Sequence, residues 1–225
     1  MVHPLERADG RSLDTLARLD RLFVAVVSDS LDKVGYRNNV LAPHIRPLQP
    51  GSRLAGFAAT VELAEVTAPP APSDSYRGEM SAIEALQPGD VMVVSSCPGA
   101  YWGELLTIAS LSRGARGIIA DAFTRDVAAI NELGFPTFVA GISAQDSLGR
   151  TDVASHGGAV SCGGVTVSQG DLVIADIDGV AIVPAAVAEE VLALSEARVN
   201  IESDMRAQLR QGTRITDAFR TFGIL

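Results

Sequence analysis

The 225-residue sequence is short of aromatics, at 5% of the chain, and holds two cysteines, three histidines and one tryptophan. Scarce aromatics leave the core to Ala, Val, Ile and Leu, which suits an α/β protein. Cys97 and Cys162 stand in no CxxC or zinc-like spacing, which excludes a disulfide framework and fits a reducing cytoplasm. No apolar run approaches the ~20 residues that cross a bilayer. The start, MVHPLERADG, lacks the basic-then-apolar order of a signal peptide. A soluble cytoplasmic protein is the expectation, with no membrane partner. Basic charge is missing too. With a formal charge of −9, a pI near 4.8 and no Lys/Arg cluster, the chain would repel a phosphate backbone, so nucleic acid is not an expected partner. Small anionic substrates remain allowed, because one Arg or a metal reverses the field inside a pocket.

What is present is a proper core composition, 47% apolar and 20% charged. Residues 12–34 read as two short helices, the second stopped by Gly35. SRLAGFAATVELAEV (52–66) reads as a strand or hairpin, and TAPPAPSDSY as a loop, either a lid or a plain surface connection. From Gly89 onward the pattern is strand VMVVSS, helix GELLTIASLSRG, strand ARGIIAD, helix RDVAAINELG and strand FPTFVAG. This β-α-β-α-β order predicts a parallel sheet. A polar, Gly-rich stretch follows, then β elements in GGVTVSQGD and LVIADIDGVAIVP, with a tight turn at Asp178-Gly179. Residues 184–211 favour helix, with Gly212 as the stop; a helix of that length is long for one such domain, so it bends back or reaches a neighbouring subunit.

Ligands of an open parallel sheet collect beyond the carboxyl ends of its strands, where the next helices begin. Glu104 opens the helix after VMVVSS, and Arg125-Asp126 opens the one after GIIAD, with twenty residues between Glu104 and Arg125. Read blandly, these are a capping acid and a surface ion pair. Read functionally, the amides of Gly103, Glu104, Leu105 and Leu106 hold a carboxylate, Arg125 offers a planar fork, and Asp126 is a hard oxygen ligand for Mg²⁺ or Mn²⁺. Other candidates stay structural. His156 reads as a turn residue, His3 and His44 have no visible partner, Cys97 is a small packed residue, and Asp176 and Asp178 belong to a turn.

The phrases SDSLDKVG, LAGFAATV, PGDVMVV, AYWGELLTIASLSRGARGIIADAFTRD, INELGFPTFVAG and GGVTVSQGDLVIADIDGVAIVP resemble, in order, the RraA-like family of 4-hydroxy-2-oxo acid aldolases and ribonuclease E regulators. The resemblance covers about residues 26–184 and implies one domain over 1–225, with a C-terminal helical extension from about 184. It implies a compact αββα sandwich resembling the swivelling phosphohistidine domain, assembled as a trimer or hexamer, with the C-terminal helix on a neighbouring subunit. By that resemblance residues 103–106 and Arg125 bind the pyruvoyl part of a 2-oxo acid and Asp126 ligates Mg²⁺ or Mn²⁺. Glu104 orders the water that carries protons, and Glu202 approaches the metal from the neighbour. Asp121-Ala122 replaces the family's more usual Asp-Gly, which alters the pocket wall.

The function implied is a metal-dependent retro-aldol cleavage giving pyruvate plus an oxo acid, with oxaloacetate decarboxylation on the side. A non-catalytic protein-binding regulator and another enolate-forming lyase or hydrolase are the rivals. The complete acid-Arg-Asp set favours the enzyme.

Overall fold

The first helix begins where the sequence offers a cap: Ser12 Oγ accepts the Asp14 N–H at 3.2 Å and opens α1 (Leu13–Leu19). α2 (Val24–Lys33) is capped from far along the chain, its Val24 N–H donating to Asp176 at 2.9 Å, and ends at Gly35, φ +91°. The structure is a computed structural model that describes residues 7–224, so His3 lies outside it. After the short β1 (Arg46–Pro47), the 52–66 stretch forms one strand, β2 (Leu54–Glu65), and not a hairpin. Then follow α3 (Arg77–Glu84), β3 (Asp90–Val94), β4 (Ala100–Trp102), α4 (Glu104–Ser112), β5 (Gly117–Thr124), α5 (Val127–Glu132) and β6 (Thr137–Ile142). The second half holds β7 (Thr151–His156), β8 (Val160–Cys162), β9 (Val165–Val167), β10 (Leu172–Asp176), β11 (Gly179–Val183), α6 (Ala188–Arg210) and α7 (Ile215–Phe222).

Strands β2, β3, β5 and β6 are adjacent and parallel, as the β-α-β-α-β order requires. β1 pairs with β6, and β10 with both β2 and β11, all antiparallel. β7 lies against β2 and β4 against β5. The result is a mixed α/β fold with a nearly closed, barrel-like sheet, beside a separate β8–β9 hairpin.

Apolar side chains divide into three clusters. One sets Trp102 and Phe135 against Ile118, Ala120 and Ile130, with the two rings stacked at 6.1 Å. A second joins the β8–β9 hairpin to Val91, Val93, Ile119 and Phe138. The third packs α1, α2 and α6 on the antiparallel strands through Leu19, Val27, Ile174 and Val191.

Some elements depart from the sequence expectation. β4 forms inside the loop after β3, and β7 inside the polar run read as a loop. One has three residues and the other is mostly solvated, so neither shows an apolar run. α3 follows the Pro-rich connection, unanticipated, and β5 continues to Thr124, past Asp121. The long helix does not itself bend back: α6 runs unbroken from Ala188 to Arg210, Gly212 (φ +92°) stops it, and α7 then packs against α6. The β10–β11 turn is held by Asp176, whose Oδ1 accepts the Asp178 N–H at 2.9 Å.

Candidate functional site

β4 brings the two ends of the 103–126 stretch together. It runs parallel to the end of β5, with Trp102 opposite Thr124, and the Arg125 N–H donates to the Trp102 carbonyl at 3.0 Å. The Gly103-Glu104 and Arg125-Asp126 turns therefore lie side by side at the carboxyl edge of the sheet. Asp126 Oδ2 accepts the Glu104 N–H at 3.1 Å. A Cβ at position 103 would stand 2.7 Å from that oxygen, so the approach requires glycine. Asp126 itself is left-handed at φ +57°, and Tyr76 at φ +59° is the only other non-glycine residue with positive φ among the described residues. Both line the same cavity. Such backbone strain costs on the order of 1–3 kcal/mol per residue and gathers at functional sites.

The cavity measures about 280 Å³. Among the described residues Arg125 is the only cation on its wall, with Nη1 3.5 Å from Asp146 Oδ1 and Nε 3.8 Å from Asp126 Oδ2. Asp146 also accepts the Tyr76 hydroxyl at 2.9 Å. Partial burial pushes the Asp146 carboxyl up, but the Tyr76 hydrogen bond and the Arg125 charge outweigh it and hold the group below the usual range. Deeper in the wall, Glu79 is 3% exposed. Burial raises its carboxyl above the usual range, and the Ser147 hydroxyl donates to Oε1 at 3.2 Å.

Of the residues singled out by sequence, Gly103, Leu105, Leu106, Arg125 and Asp126 all line the cavity. The first-turn amides of Leu105 and Leu106 have no intrahelical acceptor. Glu104 contributes its backbone N–H to Asp126, while its half-buried carboxylate is not part of the cavity wall. Glu202 lies elsewhere in this chain, on α6, with Oε1 3.0 Å from Arg198 Nε and Oε2 3.8 Å from Arg206. Asp146, Glu79 and Tyr76 were missed. Asp146 had a signal, since it follows β6, the last of the four parallel strands to end at this edge.

Among the described residues no three His, Cys, Asp or Glu side chains gather to hold a metal ion. Asp126 is the acid best placed for one, 43% exposed and with only Oδ2 tied to the backbone. One carboxylate suits Mg²⁺ or Mn²⁺, which leave other positions to water and substrate, better than it suits zinc with its fuller set of protein ligands.

The bland candidates are mostly structural. His44, expected to have no partner, has one: its Nε2 is 2.7 Å from Asp121 Oδ1. His156 ends β7 instead of sitting in a turn, with Nε2 3.0 Å from Ser81 Oγ. Cys97 is buried against Thr151 Oγ1, and burial pushes the Cys162 thiol up to about 12. No helix among the described residues is long and apolar enough to cross a membrane.

A cleft at the carboxyl edge of parallel strands, lined by an Arg, an acid and residues of a helix's first turn, is where an α/β protein places a candidate small-molecule site. Residues 24–182 match the RraA-like family model, described as Aldolase/RraA, and the chain belongs to that family. It is 30% identical over 183 residues to a Halalkalibacterium halodurans protein provisionally named 4-hydroxy-4-methyl-2-oxoglutarate aldolase, covering 80% of this chain and 81% of that one. Among solved structures, an uncharacterized Pseudomonas syringae protein superimposes with a TM-score of 0.83 at 26% identity, covering 99% of this chain and 100% of that one. Streptomyces coelicolor RraAS2, described as an unusual member of the RNase ES inhibitor RraA family, gives 0.79 at 28% identity over 90% of this chain and 100% of its own.

Proposed function

We propose that the protein is a divalent-metal-dependent class II aldolase that cleaves a 4-hydroxy-2-oxo acid into pyruvate and a second carbonyl compound. Oxaloacetate decarboxylation is its side activity, since that reaction passes through the same pyruvate enolate. The observation that carries this reading is the junction of Gly103, Arg125 and Asp126. There Arg125, Asp126 with its carboxylate held on one oxygen, and Leu105 and Leu106 of the first turn of α4 line one cavity.

Mg²⁺ or Mn²⁺ held by Asp126 would supply positive charge to the carboxylate and 2-oxo oxygens. Arg125 binds the substrate carboxylate and stabilises the enolate oxygen as it develops. The Leu105 and Leu106 amides add neutral donors to the same head group. The C4 hydroxyl loses its proton, the C3–C4 bond breaks and C4 becomes the carbonyl of the second product. The electron pair remains as the enolate, which takes a proton at C3 to become pyruvate. Glu104, one residue beyond the Gly103 turn, orders the water that carries these protons.

The reading extends to assembly. The protein forms a homotrimer or homohexamer in which the C-terminal helix of one copy packs on the next and brings Glu202 toward Asp126. Exposed Leu105, Ile108 and Leu111 on α4 offer apolar surface for that packing. The family's αββα sandwich and its likeness to swivelling phosphohistidine domains belong to the same reading. Turnover tests the chemistry: pyruvate release is expected to stop with EDTA and return with Mg²⁺.

A second reading draws on the RNase ES inhibitor family to which the Streptomyces neighbour is assigned. On it, this acidic chain docks on a protein partner and has no chemistry. Oxaloacetate turnover that depends on Arg125 contradicts it.

A further inference from the structure

The backbone of Arg125 is pinned, its N–H on the Trp102 carbonyl at 3.0 Å and its own carbonyl accepting the Thr124 hydroxyl at 3.2 Å. Its side chain is not. The guanidinium is 40% exposed and makes no hydrogen bond among the described residues. An arginine left free in this way loses rotamer freedom when a ligand immobilises it, and that loss subtracts from binding. Two carboxylates restrict it beforehand: Asp126 Oδ2 lies 3.8 Å from Nε, and Asp146 Oδ1 lies 3.5 Å from Nη1. Both separations are longer than a hydrogen bond, so the acids steer the fork without consuming its N–H groups.

The two acids differ in what else they do. Asp126 Oδ2 accepts the Glu104 N–H. Asp146 is ionised at neutral pH and lines the cavity, where it opposes any anion that enters. Its position is nevertheless fixed with care. The Ser143 N–H donates at 2.9 Å to the carbonyl of Thr124, the residue before Arg125, which ties the Asp146 loop to the Arg125 turn. The Arg150 and Thr151 N–H groups both donate at 2.8 Å to the carbonyl of buried Ser147. The second carboxylate oxygen, Oδ2, accepts the Tyr76 hydroxyl at 2.9 Å. Tyr76 is left-handed at φ +59°, a conformation that persists only where its surroundings enforce it.

We propose that Asp146, oriented by the Tyr76 hydroxyl, is the positioning residue for Arg125 and holds the guanidinium in the pose that receives a 2-oxo acid. The inference rests on the reading that Arg125 binds the carboxylate of the head group. Asp146 acts through Arg125 and takes part in no bond change.

Charge and positioning predict opposite signs, and calorimetric titration of pyruvate into the full chain with Mg²⁺ reads the sign. Asp146→Asn removes a negative charge beside an anion site, so an acid acting by charge alone would give tighter binding. A positioning residue gives weaker binding, by at least about fivefold, the scale of one side chain left unordered before the ligand arrives. Asp146→Glu restores the carboxylate and should recover most of the affinity, which replacement of a merely structural side chain would not do. Unchanged or tighter binding by a folded Asp146→Asn protein overturns the proposal, as does Asp146→Glu binding no better than Asp146→Asn. Tyr76→Phe keeps the charge and removes only the orienting hydroxyl. Weaker binding is expected there too, and unchanged affinity overturns the proposal even if the Asp146 variants do not fold. Pyruvate release from a 4-hydroxy-2-oxo acid separates the two readings. The expected order of affinities without release keeps the positioning role and sinks the aldolase. Release indifferent to Asp146→Asn keeps the aldolase and sinks the positioning role. Neither binding nor release by the unmodified protein sinks both.

Discussion

Asp90 and Glu79 are both buried carboxyls, and the protein treats them in opposite ways. Asp90 opens β3 at the amino end of the parallel strands, where Arg7 Nη1 lies 2.7 Å from one oxygen and the Gln87 N–H donates to the other at 2.9 Å. Glu79 sits by the carboxyl edge with one oxygen on Ser147 and the other on nothing. Burial raises both carboxyls, against the pull of the Gln87 N–H and of Arg7 at Asp90. One end of the sheet satisfies its buried charge and closes. The other leaves polar atoms unpaired, strains Tyr76 and Asp126, and keeps a cavity. The buried ion pair and the candidate site thus occupy opposite ends of the same strands.

Breaking the closed end should cost stability most. Asp90→Ala removes the buried partner of the Arg7 guanidinium, which keeps Asp9 and the Pro88 carbonyl, and leaves the Gln87 N–H unpaired; it is expected to lower unfolding free energy by about 2–3 kcal/mol in urea titrations. A loss under about 1 kcal/mol would remove the contrast between the ends. At the open end Arg125→Ala should cut kcat/KM for pyruvate release by at least about 100-fold, as losing a preorganised charge does. Its melting temperature should stay near that of the parent. Gly103→Ala forces its new Cβ against Asp126 Oδ2 and should lower turnover by roughly tenfold as the acid shifts. A fully active Gly103→Ala protein would show that the close approach has no role.

The smallest effect concerns Glu79 and pH. Its folded-state pKa lies above the unfolded value, so the folded chain binds this proton more tightly and the burial penalty appears as pH rises from about 4.5 through the folded pKa. Glu79→Gln carries no such penalty. Its melting temperature relative to the parent should rise by a few degrees on going from pH 5 to pH 8. A difference that does not change with pH would mean Glu79 is already comfortably ionised.

Where apolar runs were unbroken the fold was legible: VMVV, GIIA and TFVA each became a parallel strand because burial on both faces needs continuous apolar side chains. β4 and β7 were not, because three residues or a solvated face carry no such run. The Gly103–Asp126 junction could be read because parallel strands and short helices fix which turns share an edge. Its depth could not. Glu79 stands in GEMSAIEAL as an ordinary helix acid, and only the packing of α3 beside the β4 segment buries it. Asp146 acquires meaning from the Tyr76 hydroxyl 70 positions away, which no local pattern announces. Glu202, read as a ligand offered to a neighbour, also has Arg198 and Arg206 one helical turn to either side in its own chain, and those pairs say nothing of what a neighbouring copy adds.

The most direct measurement is pyruvate release from a 4-hydroxy-2-oxo acid by the purified chain, before and after EDTA and again with added Mg²⁺. The account predicts release that stops on chelation, returns with the metal, and stays absent in Arg125→Ala under all three conditions. Full release by the chelated, metal-free protein would contradict it.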